Sequence, residues 1–329
     1  MDEIYMRRAL ELAARGRGLT SPNPLVGALV VRDGDVVGEG WHEAAGLRHA
    51  ETVALDTAGD RARGATLYVT LEPCVHQGRT PPCAPRVLEA GVRRVVVGMR
   101  DPNRLVDGRG VATLRRGGVE VELGMLEAEA RRLNEGFLRW IATGLPFVTL
   151  KMAASLDGKA AARDGSSRWI SGEESRAEVH RMRAGADAIL VGAGTALRDD
   201  PSLTCRDPAY DGKPKLRVVV DGRGIVPPTH HVFTDGLAPT LVASTEGAPA
   251  ARRRAWADAG AEVLVLEDAG QSLIALPRLF EELGRREVQN VLVEGGPTLA
   301  WEIVRGGLCD RVVLFFAPIL VGGERAPSL

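Results

Sequence analysis

The second half of this 329-residue chain is built from β-rich runs separated by helical patterns, and that alternation leaves few folds open. FVTLKMAAS (147–155), ADAILVGAG (186–194), LRVVVDG (216–222), PTLVAS (239–244), AEVLVLE (261–267) and NVLVEGG (290–296) follow one another in order. Such apolar runs suit strands covered on both faces, and intervening helices supply the crossovers, so a mostly parallel sheet is expected. The first half combines the same elements differently. VGALVV (26–31) and DVVGEG (35–40) flank Asp33-Gly34, a strong hairpin signal. A helical HAETVALDTA (49–58) precedes the strands ATLYVTL (65–71) and RRVVVGM (93–99). One long helix is expected from residue 125 to about 142, ended by Thr143-Gly144-Leu145-Pro146. The chain is too long for one comfortable core. That break therefore places the boundary between two α/β domains, 1–144 and 145–329. The Gly- and Pro-rich stretches 201–214 and 222–236 read as loops.

Charge narrows the partners. The net charge is -1, with no polybasic run, so a nucleic-acid partner, which needs a basic footprint, is not expected. No apolar run approaches the ~18 residues of a membrane span, so no membrane association is expected. The opening MDEIYMRRALELAARG reads as an amphipathic helix rather than a signal peptide. A cytoplasmic, reducing location is therefore expected, and it disfavours a disulfide between Cys74 and Cys83.

Those two cysteines belong to a chemical constellation. His49-Ala50-Glu51 opens a predicted helix and Pro73-Cys74 ends the next strand. This order matches the front of the zinc nucleobase-deaminase signature H-x-E…P-C-x-x-C. One imidazole and two thiolates, from His49, Cys74 and Cys83, would give zinc three ligands and leave a fourth position for water. Bound zinc lowers the water's pKa toward about 7. Glu51 would then move a proton from that water to a departing amine. The second cysteine departs from the signature: C-x-x-C has become C-x8-C, through VHQGRTPP. A purely structural site, with His76 as a fourth ligand, is the competing reading.

TSPNPLVGALVV (20–31), the HAE, EPCVHQGRTPPC (72–83) and VGMRDPN (97–103) resemble the deaminase half of the bifunctional riboflavin-biosynthesis deaminase/reductase family. Nucleobase deaminases acting on cytidine or tRNA adenosine keep the short C-x-x-C, which disfavours them here. The resemblance implies a cytidine-deaminase-like three-layer αβα domain with one zinc per chain. It places Asn23, His42, His76, Arg79, Asp101 and Asn103 around a phosphoribosylaminopyrimidine. Amide and carboxylate groups suit the polar edge of that ring, and His76 and Arg79 suit its phosphate.

No G-x-G-x-x-G follows a strand in the second half; GAGTAL (192–197) lacks the third glycine. VEGGPTLAWE (293–302) instead ends a strand at Glu294 and starts a helix at Pro297, leaving free N–H groups for a dinucleotide's phosphates. TLKMAASLDGKAA (149–161), SRWISG (167–172), VGAGTALRDDPSLTCR (191–206) and VEGGPTLA resemble the reductase half of the same family. That half implies a dihydrofolate-reductase-like α/β domain using NADPH. Ala153, Trp169, Thr195, Asp199, Asp221, Gly296, Pro297, Thr298, Leu299, Ala300, Trp301 and Glu302 would lie along the cofactor. Ser167, Arg183, Leu203, Arg206 and Glu294 would meet the substrate. Arg183 and Arg206 suit a phosphate as planar forks. Lys151 would stand near the reacting sugar as a proton source, although a lysine within a strand can also be an edge residue. Relatives continue past a PILVGG-like segment (318–323) with further strands. An unpaired sheet edge is therefore expected there, with deamination alone as the alternative outcome. A homo-oligomer is expected on the same grounds.

Overall fold

The computed structural model describes residues 1–78, 80–161, 172–270, 273–323, 326 and 328. The chain divides into two compact units, Met1–Gly144 and Leu145–Leu329. Unit 1 runs in the order α1 (Asp2–Ala14), β1 (Gly27–Arg32), β2 (Asp35–Trp41), α2 (Ala50–Ala58), β3 (Thr66–Leu71) and α3 (Cys83–Glu89). It continues with β4 (Arg94–Met99), α4 (Arg109–Arg116), β5 (Glu120–Leu123), α5 (Glu127–Leu133) and α6 (Glu135–Thr143). The five strands are ordered β2-β1-β3-β4-β5. β1 pairs antiparallel with β2 and β3, whereas β3, β4 and β5 pair in parallel.

Alternation along the strands sorts their side chains into two cores. Leu29, Val31, Tyr68 and Val96 pack with Met6, Ala9 and Leu12 of α1. Ala28, Val30, Leu67, Val69, Val95 and Val97 face the other way, onto Ala54 and Leu55 of α2, Val87 of α3 and Leu114 of α4. Helices therefore cover both faces, in the three-layer αβα arrangement. Burying each Leu or Val contributes about 1.5–3 kcal/mol. The hairpin turn forms as expected: Asp33 and Gly34 both take positive φ, 53° and 89°, which matches the twist of the flanking strands. Gly38 and Gly40 of β2 have a different task. A side-chain carbon on either would collide with the backbone of α2, at Ala54 O and Ala50 O respectively. Their bareness lets α2 lie directly on the sheet and sets the height of His49 and Glu51.

The single helix expected over 125–142 is instead two, α5 and α6, which meet at Asn134. Asn134 has φ -108° and ψ 20°, and its side chain is drawn into a distant contact. Its Oδ1 accepts from Leu25 N at 2.7 Å, and its Nδ2 donates to Leu25 O at 3.0 Å. An asparagine amide that finds backbone partners competes with the helix ladder. Here it trades helix continuity for a grip on the turn that carries Asn23. β5 had no signature in the sequence, since a four-residue edge strand with mostly exposed side chains shows no apolar pattern.

Unit 2 contains β6 (Phe147–Ser155), α7 (Glu173–Gly185), β7 (Ala188–Gly192), α8 (Ala193–Asp199), β8 (Leu216–Val220), α9 (His231–Thr234) and β9 (Thr240–Ser244). Then follow α10 (Ala250–Asp258), β10 (Glu262–Val265), α11 (Leu276–Arg285), β11 (Asn290–Val293), α12 (Pro297–Arg305) and β12 (Arg311–Ala317). The sheet order is β10-β9-β8-β7-β11-β6-β12, and every pairing between these strands is parallel. One face packs on Leu279, Phe280 and Leu283 of α11 and Ile303 of α12; the other packs on Ala196 of α8 and Trp256 of α10. The stretch 222–236, expected to be loop, includes the short α9, whose Val232 and Phe233 are buried. β6 lies between β11 and β12, so Lys151 is not an edge residue, and that alternative explanation of it falls.

Candidate functional site

In unit 1 three chain segments converge on one point. His49 is the N-cap of α2, in extended conformation; Cys83 is the first residue of α3; Cys74 follows β3. His49 Nδ1 lies 3.2 Å from Cys83 Sγ and 3.6 Å from Cys74 Sγ. Tetrahedral zinc, with Zn–S about 2.3 Å and Zn–N about 2.0–2.1 Å, puts such atoms about 3.5 Å apart. The donor set and its spacing fit zinc, and three protein ligands leave one position open. The thiols fit as well. A hydrogen bond with Cys83 holds Cys74 down to about 4, while the same bond and burial push Cys83 up. Without an ion, the pair supports one charge between them. A bound cation stabilises both thiolates.

Glu51, on the first turn of α2, is only 4% exposed. Burial first, and then the charge of Cys74, push its carboxyl up to about 7. A carboxyl in that range can both take and return a proton near neutral pH. His42, just after β2, is buried beside His49: the two rings stand edge-on, with centroids 5.5 Å apart. His42 Nδ1 lies 3.1 Å from Arg48 O, so it donates there, and Nε2 accepts from Asn23 Nδ2 at 3.0 Å. Burial lowers the pKa of His42, consistent with this neutral tautomer. Asp101 follows β4 and is buried; desolvation, only partly offset by the hydrogen bond from Asn103 N, pushes it up to about 6. Its Oδ1 accepts from Asn103 N, and Asn103 Oδ1 in turn accepts from Leu105 N. His76 keeps a buried Nδ1 with no hydrogen-bond partner among the described residues. Arg79 lies outside the described residues.

Three further residues hold this site together. Glu72, next to Pro73-Cys74, is buried, and its carboxylate accepts from the backbone N–H of Asp101, Gly108 and Val111. It thereby ties the Cys74 loop to the Asp101 loop and to the start of α4. Asn134 grips Leu25, two residues past Asn23. Thr80 Oγ1 stands 3.0 Å from His49 Nε2. Glu72 carried a signal, since it precedes the P-C pair. Asn134 carried none, because its partner is 109 residues away; Thr80 lies within the motif quoted above, but nothing local ties it to His49, 31 residues away.

In unit 2 a cavity of about 650 Å³ opens at the C-terminal ends of β7, β8 and β11. Thr195, Asp221, Gly296, Pro297, Thr298, Leu299 and Glu302 line it. Gly192 and Gly296 are the N-caps of α8 and α12, and Pro297 stands at the first helical position of α12. Both helices thus aim free N–H groups into the cavity, as a dinucleotide's phosphates require. Both Asp221 oxygens are occupied, accepting from Gly224 N and Val226 N at 2.8 Å, so this carboxylate shapes the turn after β8. Arg198, Arg223 and Arg305 also line the cavity; no sequence signal marked them. Ala153, Asp199, Ala300 and Trp301 are not on its described wall. Ala153 is paired to Phe315 of β12, Ala300 is buried, and Trp301 is exposed. Trp169 and Ser167 lie outside the described residues.

Arg183 of α7 and Glu294 form a bidentate ion pair, 2.6 and 2.9 Å, and the third guanidinium nitrogen donates to Thr204 O. The fork of Arg183 therefore faces a carboxylate. Arg206 instead meets the ring nitrogens of His180, with its backbone N 3.1 Å from Nδ1 and its Nε 3.4 Å from Nε2, and Leu203 is buried with φ 50°. Lys151 Nζ stands 5.6 Å from the Phe315 ring centroid. Burial lowers its pKa, against the pull of Glu294.

The family description "Cytidine and deoxycytidylate deaminase zinc-binding region" matches residues 1–99, and "RibD C-terminal domain" matches residues 146–329. The riboflavin biosynthesis protein RibD of Bacillus amyloliquefaciens is 46% identical over 329 residues, 100% of this chain and 88% of that protein. Its Escherichia coli (strain K12) namesake is 42% identical, over 98% of this chain and 89% of its own. Among solved structures, Acinetobacter baumannii RibD superposes with a TM-score of 0.88 at 40% identity, covering 99% of this chain and 89% of that one. A Thermotoga maritima diaminohydroxyphosphoribosylaminopyrimidine deaminase/5-amino-6-(5-phosphoribosylamino)uracil reductase gives 0.86 at 39%, covering 98% and 88%. With likeness of this depth running through both units, and a zinc-type triad in the first, the chain belongs to the family of the riboflavin biosynthesis protein RibD.

Proposed function

We propose that the chain catalyses two successive steps of riboflavin synthesis, a hydrolytic deamination in unit 1 and a reduction in unit 2. The substrate of the first is 2,5-diamino-6-(5-phosphoribosylamino)pyrimidin-4(3H)-one; water adds at C2, the C2–N bond breaks and ammonia leaves. The observation that carries this reading is the His49–Cys74–Cys83 triad with the buried carboxyl of Glu51 beside it. Zinc held there supplies a water whose pKa falls toward about 7. Glu51 takes the water's proton and returns it to the departing amine. Asn23, His42, Asp101 and Asn103 orient the pyrimidine, and His76 with Arg79 meets its phosphate.

The second step reduces C1′ of 5-amino-6-(5-phosphoribosylamino)uracil, in its open-chain form, to the ribityl product. The cavity of unit 2 suits NADPH, which supplies the hydride. Gly296, Pro297 and Thr298 at the head of α12, with Thr195 of α8, take its phosphates. Asp221, Leu299 and Glu302 line the rest of the cofactor site; the family resemblance adds Trp169, and also Ala153, Asp199, Ala300 and Trp301 from outside the cavity's described wall. Ser167, Leu203 and Arg206 hold the substrate beside the Arg183–Glu294 pair. Lys151, half-buried and close to that pair, is the proton source.

The test supplies the diaminopyrimidine phosphate and follows ammonia release with and without a zinc chelator, then NADPH oxidation in the same tube. Expected are chelator-sensitive ammonia release and NADPH oxidation that follows it. Deamination that a chelator leaves untouched would sink the zinc mechanism. Ammonia without NADPH oxidation would favour a deaminase alone.

A homo-oligomer is part of the same reading, and Val312, Leu314 and Phe316 of β12 expose an apolar row of the kind a partner would cover. Sedimentation velocity is expected to give a mass above that of one 35.1 kDa chain; a monomer at micromolar concentration would end that part. A cytoplasmic location is supported by the four cysteines, two of them in the metal triad and none in a disulfide.

A further inference from the structure

We propose that Thr80 is a positioning residue of the metal centre: its hydroxyl fixes the tautomer and ring orientation of His49. The inference rests on the zinc reading given above and asks what the residues between Cys74 and Cys83 contribute to it.

His49 offers two ring nitrogens, and the structure separates their tasks. Nδ1 faces both thiols, at 3.2 Å from Cys83 Sγ and 3.6 Å from Cys74 Sγ. A metal held by those thiols takes the Nδ1 lone pair. In a neutral imidazole the proton then belongs on Nε2. Thr80 Oγ1 lies 3.0 Å from Nε2, a normal hydrogen-bond distance, so Nε2–H donates to the hydroxyl oxygen. Metal-ligating histidines commonly give their second N–H to such a partner, which aligns the ring and raises ligand basicity. His49 is half-buried, with the ring of His42 standing edge-on to it.

Thr80 occupies this place because of the long spacing between the cysteines. It is one of the eight residues between Cys74 and Cys83, a stretch that C-x-x-C reduces to two. A turn holds it there: Gly78 N donates to Thr80 O at 3.2 Å. Beyond it, Cys83 N donates to Cys74 Sγ and Ala84 N to Cys74 O, closing the loop back onto the first cysteine. The inserted residues thus reach round the imidazole and grip its far side. His76 and Arg79 are assigned to substrate; Thr80 serves the metal ligand.

The test measures zinc affinity in full-length protein by competition with a chromophoric chelator, together with thermal melting of the zinc-free form. Thr80→Val keeps the shape and loses the acceptor; Thr80→Ser restores it; Thr80→Ala is a second removal that avoids a bulky methyl. Expected is a loss of about 10- to 100-fold in zinc affinity for the Val and Ala variants. The Ser variant should stay close to wild type, and the zinc-free melting temperatures should all agree. Val and Ala variants that bind zinc as wild type does would overturn the proposal while leaving the zinc reading intact. So would a Ser variant as weak as Val, since the hydroxyl would then not be the operative group. If both removals fail to fold without zinc, Thr80 serves loop folding and the proposal is wrong. Failure of the wild-type protein to bind zinc would instead remove the reading on which it stands.

Discussion

Replacing Glu51 by Gln is expected to lower ammonia release by about 10²–10⁴-fold, the usual worth of a positioned general acid–base group. The substitution keeps volume and hydrogen-bonding capacity in a site where this side chain is 4% exposed. It removes only the ability to accept and return a proton. Because the zinc donors are His49, Cys74 and Cys83, the E51Q protein is expected to keep its zinc. It is also expected to oxidise NADPH normally when given the already deaminated uracil, since unit 2 contains none of these groups. Ammonia release, metal content and NADPH oxidation, measured on one preparation, separate the outcomes. Deamination within tenfold of wild type would remove Glu51 from the proton path. Loss of zinc would show that it supports the ligands instead.

Replacing Arg217 by Ala is expected to destabilise unit 2 by about 3–5 kcal/mol, the cost of stranding one partner of a buried ion pair. Arg217 lies on β8, and its side chain is 2% exposed, against 10% for Asp235. Its Nη1 donates to both Asp235 oxygens, at 2.7 and 2.9 Å, and to Ser202 O; Nη2 donates to Ala238 O; Nε donates to Thr240 Oγ1. The alanine variant leaves a buried carboxylate and two carbonyls without their donor. The double variant Arg217→Ala, Asp235→Asn should lose less than the sum of the two single losses, because the second change removes the uncompensated charge. Amide hydrogen exchange in β8 and β9 across a urea series reads the effect locally. A change under about 1 kcal/mol, the scale of an exposed pair, would show that water or a rearranged Asp235 replaces the guanidinium.

Much of the fold was legible because it is written in short-range periodicity. Each long apolar run became a strand, and Asp33-Gly34 formed the turn its residue types demand. The failures have separate causes. Asn134 splits a helix because a backbone 109 residues away competes for its amide. β5 lacks an apolar pattern because it is a short, exposed edge. The candidate sites divide in the same way. His49, Glu51, Cys74 and Cys83 were readable because residue type and order reflect ligand chemistry. The structure adds that Asn23 and His42 meet beside them, and that Asp221 has its oxygens turned to its own loop.

By itself, the sequence determined the two α/β units, the alternation that builds their sheets, and a donor set able to hold zinc. Packing in three dimensions selected which hydrogen bonds form behind those donors and within the sheet of unit 2. Thr80 on His49, Glu72 beneath the Asp101 loop, and Arg217 on Asp235 are all contacts between residues that no local pattern links. A polar side chain advertises its hydrogen-bonding capacity in the sequence. The partner that satisfies it is chosen when packing excludes water and leaves one geometry in which the buried donor is paired.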